Sequence, residues 1–265
     1  MHGIIDRLLG DHFAGSPILM YHGVGAPAPH GEPRYTVSAA GLDAQLRALE
    51  VAGVPVVALG ALLAGARGVC LTFDDGEATV ARAAAPILAR YHAPAVAYVT
   101  SGFVGQPGYV TAAALRELAA AGWTVGAHGR THRYLADLEA ADLDDELRGA
   151  RAELEDLLGA PVVHLSLPGG RGDARVAAAA VAAGYASVAT SRPGLNRRID
   201  PRGLERFVVG ARDDAARVLK LARGDVPTVA AEVVTTAALA APKRLLGNRR
   251  YEQVRGVALM LLGRR

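Results

Sequence analysis

Short apolar runs rich in Val, Ile and Leu alternate along the chain with longer stretches whose apolar residues recur every three or four positions. The short runs predict strands over Pro17–Tyr21, Pro55–Leu59, Gly68–Phe73, Pro94–Thr100, Trp123–Ala127, Pro161–Leu167, Tyr185–Ala189 and Arg206–Val209. The longer stretches predict helices over Ser38–Ala52, Glu77–Tyr91, Thr111–Ala121, Asp142–Leu158 and Asp173–Ala183. Ser38 and Thr111 stand where a hydroxyl caps a helix start, and Leu42, Leu46 and Leu49 share one helical face. Gly53, Gly122, Gly159 and Gly184 follow four helix ends, where a left-handed cap favours glycine. Strands alternating with helices of this length make parallel βα units, in either a doubly wound sheet or a barrel.

The polar positions choose between the two. His22 follows the first run, Asp74 and Asp75 the third, and His128 and His132 the run Trp123–Ala127; Ser166 to Arg171 ends Pro161–Leu167. Four clusters at four strand C-termini fit a barrel whose βα loops build one site. A doubly wound sheet gathers its site at one switch point, usually with a Gly-rich phosphate loop, and no such loop is present. The expected organisation is an extension over 1–15, an α/β barrel domain over 16–226 and a helical tail over 227–265.

Composition narrows this further. With 51% hydrophobic and 21% charged residues in 265, the chain buries a core and is not mostly disordered. A single cysteine, Cys70, excludes an intramolecular disulfide framework and a Cys-rich zinc module. Charged residues scattered through Met1 to Gly15 leave no secretory apolar region, and no clean apolar stretch of about 18 residues occurs. The expected location is therefore cytoplasmic. The net charge of +3 is uneven: from Pro227 onwards seven Lys/Arg face Glu232 and Glu252, whereas the remainder carries 22 basic against 24 acidic residues.

Chemistry concentrates in two stretches. Cys70-Leu71-Thr72-Phe73-Asp74-Asp75-Gly76 runs an apolar strand into two adjacent carboxylates. Neighbouring side chains on extended backbone point apart, so the two acids meet different surroundings and take different jobs; the plain alternative is a solvated turn. In His128-Gly129-Arg130-Thr131-His132, histidines four apart on one helical turn face the same way and converge on one metal ion. Such a pair also arises by chance, but two His and one Asp form a familiar divalent set with positions open for water and substrate.

Thr72-Phe73-Asp74-Asp75-Gly76 followed by His128-x-x-x-His132 resembles the polysaccharide deacetylases of the NodB homology type, carbohydrate esterase family 4. Ile18-Leu19-Met20-Tyr21-His22-Gly23-Val24, Tyr35-Thr36-Val37-Ser38 and Ser166-Leu167-Pro168-Gly169-Gly170-Arg171 look like further motifs of that family, so the resemblance covers roughly residues 16 to 210. It implies a distorted (β/α)7-type barrel and a hydrolase that removes the N-acetyl group from an N-acetylated amino sugar. It also implies one divalent metal, commonly zinc, with cobalt, nickel or manganese as alternatives, held by Asp75, His128 and His132. Asp74 is then the general base, and Pro168, Gly169 and Arg171 border substrate and oxyanion, with a backbone N–H near Gly169 stabilising the latter.

Two departures stand out. Many members take their general acid from a late histidine, yet none follows His164. The poly-N-acetylglucosamine deacetylase branch is similar in using a histidine in an early Tyr-His pair, which His22 matches, with an ordinary histidine pKa suited to donating a proton near neutrality. Where many members carry an arginine that orients the base, this chain has Ser166, which leaves Arg171 or Arg206 to supply the charge. Trp123 reads as a core residue or as a wall of a sugar cleft, His164 as a satisfied core histidine, and Cys70 as a small hydrophobe. The same fold supports a deformylase of lipid-linked amino sugars, and a barrel that binds glycan without turnover is the alternative of another class.

The tail from Pro242 to Arg265 mixes Leu, Val and Met with regularly placed arginines. It reads either as a helix packed on the barrel or as an interfacial helix on an anionic inner membrane face, which would bring a lipid- or nucleotide-linked glycan precursor within reach. Nucleic acid is not an expected partner, because the basic residues come with no reading motif and few aromatics.

Overall fold

Seven parallel strands form the centre of the computed structural model, which describes residues 15–29 and 31–238. They are β1 (Ile18–Tyr21), β2 (Cys70–Phe73), β3 (Ala95–Val99), β4 (Thr124–Ala127), β5 (His164–Ser166), β6 (Ser187–Ala189) and β7 (Phe207–Val208). Their spatial order is β6-β5-β4-β3-β2-β1-β7, with Met20 opposite Thr72, Thr72 opposite Val96 and Ala97 opposite Val125. The two outer strands are joined just ahead of β7: Leu204 bridges Ala189, accepting from Thr190 N at 2.8 Å and donating to Val188 O at 2.9 Å. The sheet thus curls into a distorted (β/α)7 barrel, as the polar clusters at four strand ends and the family resemblance predict.

The strands are apolar almost throughout because both faces are covered. Leu19, Tyr21, Leu71, Phe73, Ala97 and Val99 join the large outer cluster with the helices. Their alternates Ile18, Cys70, Val96 and Tyr98 form a smaller cluster inside the curl. The helices are α1 (Ala39–Val51), α2 (Leu59–Leu63), α3 (Ala85–Arg90), α4 (Ala112–Ala120), α5 (Ala140–Asp144), α6 (Ala150–Leu158), α7 (Ala174–Ala182) and α8 (Ala215–Ala222). A π-helical turn, Val80–Ala84, leads into α3, and a second, Asp145–Gly149, joins α5 to α6. Ser38, Thr111 and Asp173 cap α1, α4 and α7 by accepting from Gly41 N, Ala114 N and Val176 N, contacts worth about 1 kcal/mol each. Gly53, Gly122, Gly159 and Gly184 all take positive φ, as their places after helices predict.

One predicted strand is absent. Pro55–Leu59 makes a single parallel bridge, Val56 to Val69, and the chain then turns into α2. Leu59 and Leu62 of α2 are buried against Ile18, Cys70, Val96, Tyr98, Ala189 and Leu204. The apolar run therefore closes one end of the barrel instead of adding a strand to its wall. An apolar run of this length does not distinguish the two fates by periodicity. Past α8 a helix covers 226–238, with Val229 buried in the outer cluster. The basic residues Lys243 to Arg265, and the extension before Gly15, lie outside the described residues. Among the described residues, no helix is long and apolar enough to cross a membrane.

Candidate functional site

β2 delivers the carboxylates. The N–H of Asp74 donates to Tyr21 O at 2.9 Å, extending the strand pairing by one residue. The next residue leaves the strand in a left-handed turn, Asp75 at φ 72° and Gly76 at φ 81°. The two acids consequently do meet different surroundings, through a reversal of the backbone as well as strand alternation.

Asp74 faces inward and is buried. Arg206, fully buried in the segment that closes the barrel, holds it with Nη1 at 2.7 Å from Oδ1 and Nη2 at 2.8 Å from Oδ2. Ser166 Oγ donates to Asp74 Oδ2 at 3.0 Å and accepts from Arg206 Nη2 at 2.7 Å. The guanidinium also donates to Thr190 O and Thr72 Oγ1. A carboxylate offers about four lone-pair sites; three donors on Asp74 leave one for a further partner. Burial alone would raise the Asp74 carboxyl, but the Arg206 guanidinium outweighs it, aided by His128 and His22, and holds it below its ordinary value. Of the two arginines open to this role, Arg206 takes it. Arg171 lies elsewhere on the cleft, its guanidinium 4.5 Å above the Tyr134 ring.

The histidines converge, though not on a helical turn. His128 extends β4, donating its N–H to Val99 O at 2.8 Å, and the chain then bends through Gly129 (φ 72°) to His132 (φ 63°). Residues 128–134 have no helical hydrogen bonding. Two left-handed positions thus do what one helical turn was expected to do. The Nε2 atoms of His128 and His132 approach the same Asp75 Oδ1 at 3.3 and 3.2 Å. His128 Nδ1 lies 2.9 Å from Ser166 O, which fixes its proton there and turns the Nε2 lone pair towards Asp75.

This donor set fits a divalent cation. One atom from each of Asp75, His128 and His132 lies within 4.8 Å of the others, and Asp75 Oδ1 is buried without a hydrogen-bond donor. For His132, burial acts downward and Asp75 upward, with a net rise.

A cleft of about 200 Å³ opens over this centre, bordered by His22, Tyr35, Tyr134, Gly169, Arg171 and Ser191. His22 lies one residue beyond β1, its ring stacked on Tyr35 at 5.0 Å, and the Arg34 guanidinium lies 4.5 Å from the same Tyr35 ring. Its Nδ1 is buried without a partner among the described residues. Burial pulls the His22 pKa below 6.5, outweighing the opposite pull of Asp75 and Asp74. Gly169 (φ 63°) sits so close to Tyr134 that a β-carbon would fall 2.4 Å from the ring. Pro168, expected beside it, is buried with Cγ next to Gly129.

The residues singled out in the sequence outside this centre take structural places. Trp123 is buried against Phe73 at 5.3 Å and forms no wall of the cleft. His164 is satisfied by Ser187 Oγ at 2.8 Å from Nδ1. Cys70 is buried inside the barrel, its thiol pushed up to about 12 by burial.

Comparison with known proteins converges on one description. Residues 64–188 match the family model of polysaccharide deacetylases. YxkH of Bacillus subtilis strain 168, which carries a polysaccharide deacetylase name, is 25% identical over 130 residues, 49% of this chain and 47% of the relative. The matched region thus spans about half the length of that relative. Among solved structures, the deacetylase PplD of Streptococcus pyogenes, in complex with acetate, superposes with a TM-score of 0.72 at 21% identity, over 79% of this chain and 98% of that one. IcaB from Ammonifex degensii gives 0.70 at 24% identity, over 79% and 97%. At such identities these two likenesses bear on the fold.

Proposed function

We propose that this chain, whose residues 64–188 match the polysaccharide deacetylase family, is a NodB-type, metal-dependent de-N-acetylase acting on an N-acetylated amino sugar. The observation that carries the reading is the convergence of His128 Nε2 and His132 Nε2 on the orphaned Asp75 Oδ1, beside a second, ionised aspartate. Asp75, His128 and His132 would hold one divalent cation, zinc before cobalt, nickel or manganese. When bound, such a cation polarises the acyl carbonyl and lowers the pKa of water in its coordination shell.

The chain's own residues supply the rest. Asp74 accepts a proton at its remaining lone pair from the water that adds to the acyl carbon. Arg206 and Ser166 keep that carboxylate ionised and fixed in direction. The backbone N–H of Gly169, in the turn facing the cleft, donates to the oxygen on which charge develops. His22 gives a proton to the nitrogen as the C–N bond breaks, so that a free amine and acetate leave. A lowered pKa makes the His22 imidazolium a stronger acid and leaves less of it protonated at neutral pH. Tyr35, Tyr134 and Arg171 border the space for the sugar.

The test is acid release from N-acylated amino-sugar oligomers and phosphate-linked precursors, with protein stripped of metal and then reloaded with Zn²⁺ or Co²⁺. Acetate released only after reloading supports the proposal. Formate in place of acetate reassigns the acyl group and keeps the hydrolase. Bound metal and bound sugar with neither acid released would overturn it in favour of a glycan-binding barrel.

A further inference from the structure

The metal reading leaves two buried carboxylates unused, Glu77 beside the cleft and Glu146 away from it. Glu146, in the π-helical turn Asp145–Gly149, is 2% exposed and touches neither the cleft nor a metal-site atom. Its Oε2 accepts from Arg130 N at 2.7 Å and from Thr131 N at 3.0 Å, and its Oε1 accepts from the Thr131 hydroxyl. All three donors belong to the two residues immediately before His132.

The surroundings show why this contact is needed. His132 stands at φ 63°, a conformation that costs a residue with a β-carbon unless its neighbours over-determine it. The loop is fixed from the other side by Ser101 N to Gly129 O at 3.2 Å and Gly102 N to Arg130 O at 2.9 Å. Arg130 in turn binds Glu153 and Asp145 on the same helical segment as Glu146. Gly129 completes the fit, since a β-carbon there would lie 3.0 Å from Glu146 Oε2. The loop between the two histidines therefore closes around one carboxylate. A π turn, common at functional sites, presents it.

We infer that Glu146 is a positioning residue for the metal centre: by binding two backbone N–H groups and a hydroxyl just ahead of His132, it holds that histidine in the left-handed turn that aims Nε2 at Asp75. The inference rests on the metal reading above and assigns Glu146 no contact with substrate. Losing a partner that orients a ligand typically weakens metal binding 10- to 100-fold.

The experiment titrates metal-free protein with Co²⁺ against a competing chelator, following visible absorption, and records the melting temperature of each metal-free form. The variants are Glu146→Ala, Glu146→Gln and Thr131→Val. We expect Glu146→Ala to bind Co²⁺ about 10- to 100-fold more weakly. Glu146→Gln should recover most of the affinity, because an amide oxygen still accepts both N–H groups. Thr131→Val should fall between, at a metal-free melting temperature near wild type. Unchanged affinity in a folded Glu146→Ala overturns the inference. So does an equal loss in Ala and Gln that follows only their loss of metal-free stability. Should Glu146→Ala not fold, Thr131→Val decides: weaker Co²⁺ binding at unchanged stability supports the inference, and wild-type binding overturns it. A wild-type protein that takes up no Co²⁺ overturns the metal reading, and this inference with it, a result distinct from tight and equal binding by all variants.

Discussion

Two adjacent aspartates anchor two regions of opposite character. The Asp74 region lies inside the barrel and is charge-paired: carboxylate, guanidinium and serine hydroxyl bond one another, with one acceptor position on the carboxylate left over. The Asp75 region lies at the rim and is incomplete, with two imidazole nitrogens and an orphaned oxygen facing a common point. The interior pair is an element of stability that also supplies an ionised group. The rim triad is a set of ligands held together by backbone geometry, at positions where the chain adopts left-handed turns. One residue of sequence separates a charge-paired carboxylate from an open ligand set.

The sharpest way to break the contrast is at the rim. His132→Ala should remove the bound divalent metal, read by elemental mass spectrometry after identical purification, and reduce turnover to background. The metal-free fold should survive, since His132 is only part-buried. Retained metal would mean that the triad is not the site. Asp74→Asn comes next: metal should stay at one equivalent while kcat falls by about 10² to 10⁴, the usual contribution of a general base. Near-normal turnover would remove Asp74 from that role.

Breaking the interior pair from its other side should shift stability more than metal. Arg206→Met leaves Asp74 buried without its counter-charge and should cost about 3–5 kcal/mol in denaturant unfolding. The pH dependence has a definite sign. Arg206 holds the Asp74 pKa below its ordinary value, so the pair stabilises fully above the unfolded carboxylate pKa of about 3.9. That contribution is lost as pH falls through the lower, folded value. The wild type should therefore lose stability on acidification more steeply than Arg206→Met.

Smaller effects sharpen the boundary between the regions. If His22 donates the proton, kcat/KM should fall as pH rises through a value below 6.5, because its protonated form is present only below that pKa. In His22→Ala that limb should vanish while metal remains bound. Smallest of all, Cys70 should resist an aromatic disulfide reagent in the native protein and react on unfolding, since burial holds its thiol at about 12.

How much of this was legible in the sequence follows the same division. The rim ligands sit at the ends of short, continuous apolar runs, and the abrupt polar ends of such runs are what sequence records best. Their convergence was readable and its cause was not. HxxxH suggests a helix, whereas positive φ at Gly129 and His132 leaves no mark in a regular spacing. Arg206 was visible only as one of two charges able to replace a missing arginine, because 132 residues separate it from Asp74 and only barrel closure brings them together. Glu146 carried less signal still, since an acid within a helical stretch rich in Asp and Glu looks like a solvated face. Leu59 and Leu62 ended an apolar run that reads equally well as wall or as plug.

The segment that completes the sheet has a consequence for the order in which the protein is made. Leu204 joins the β6 side to β7, and Arg206, two residues on, is the counter-ion of Asp74. Ring closure and charge neutralisation are therefore a single late event in a chain synthesised from the other end. A nascent protein that has emerged only as far as β6 already possesses Asp75, His128 and His132, yet Asp74 has no counter-ion. Non-local contacts of this span are slow to form because the loop entropy comes first. Docking of β7 should thus act as a checkpoint: before it the barrel is open and Asp74 lacks its counter-ion, and after it the carboxylate is paired and the sheet is closed.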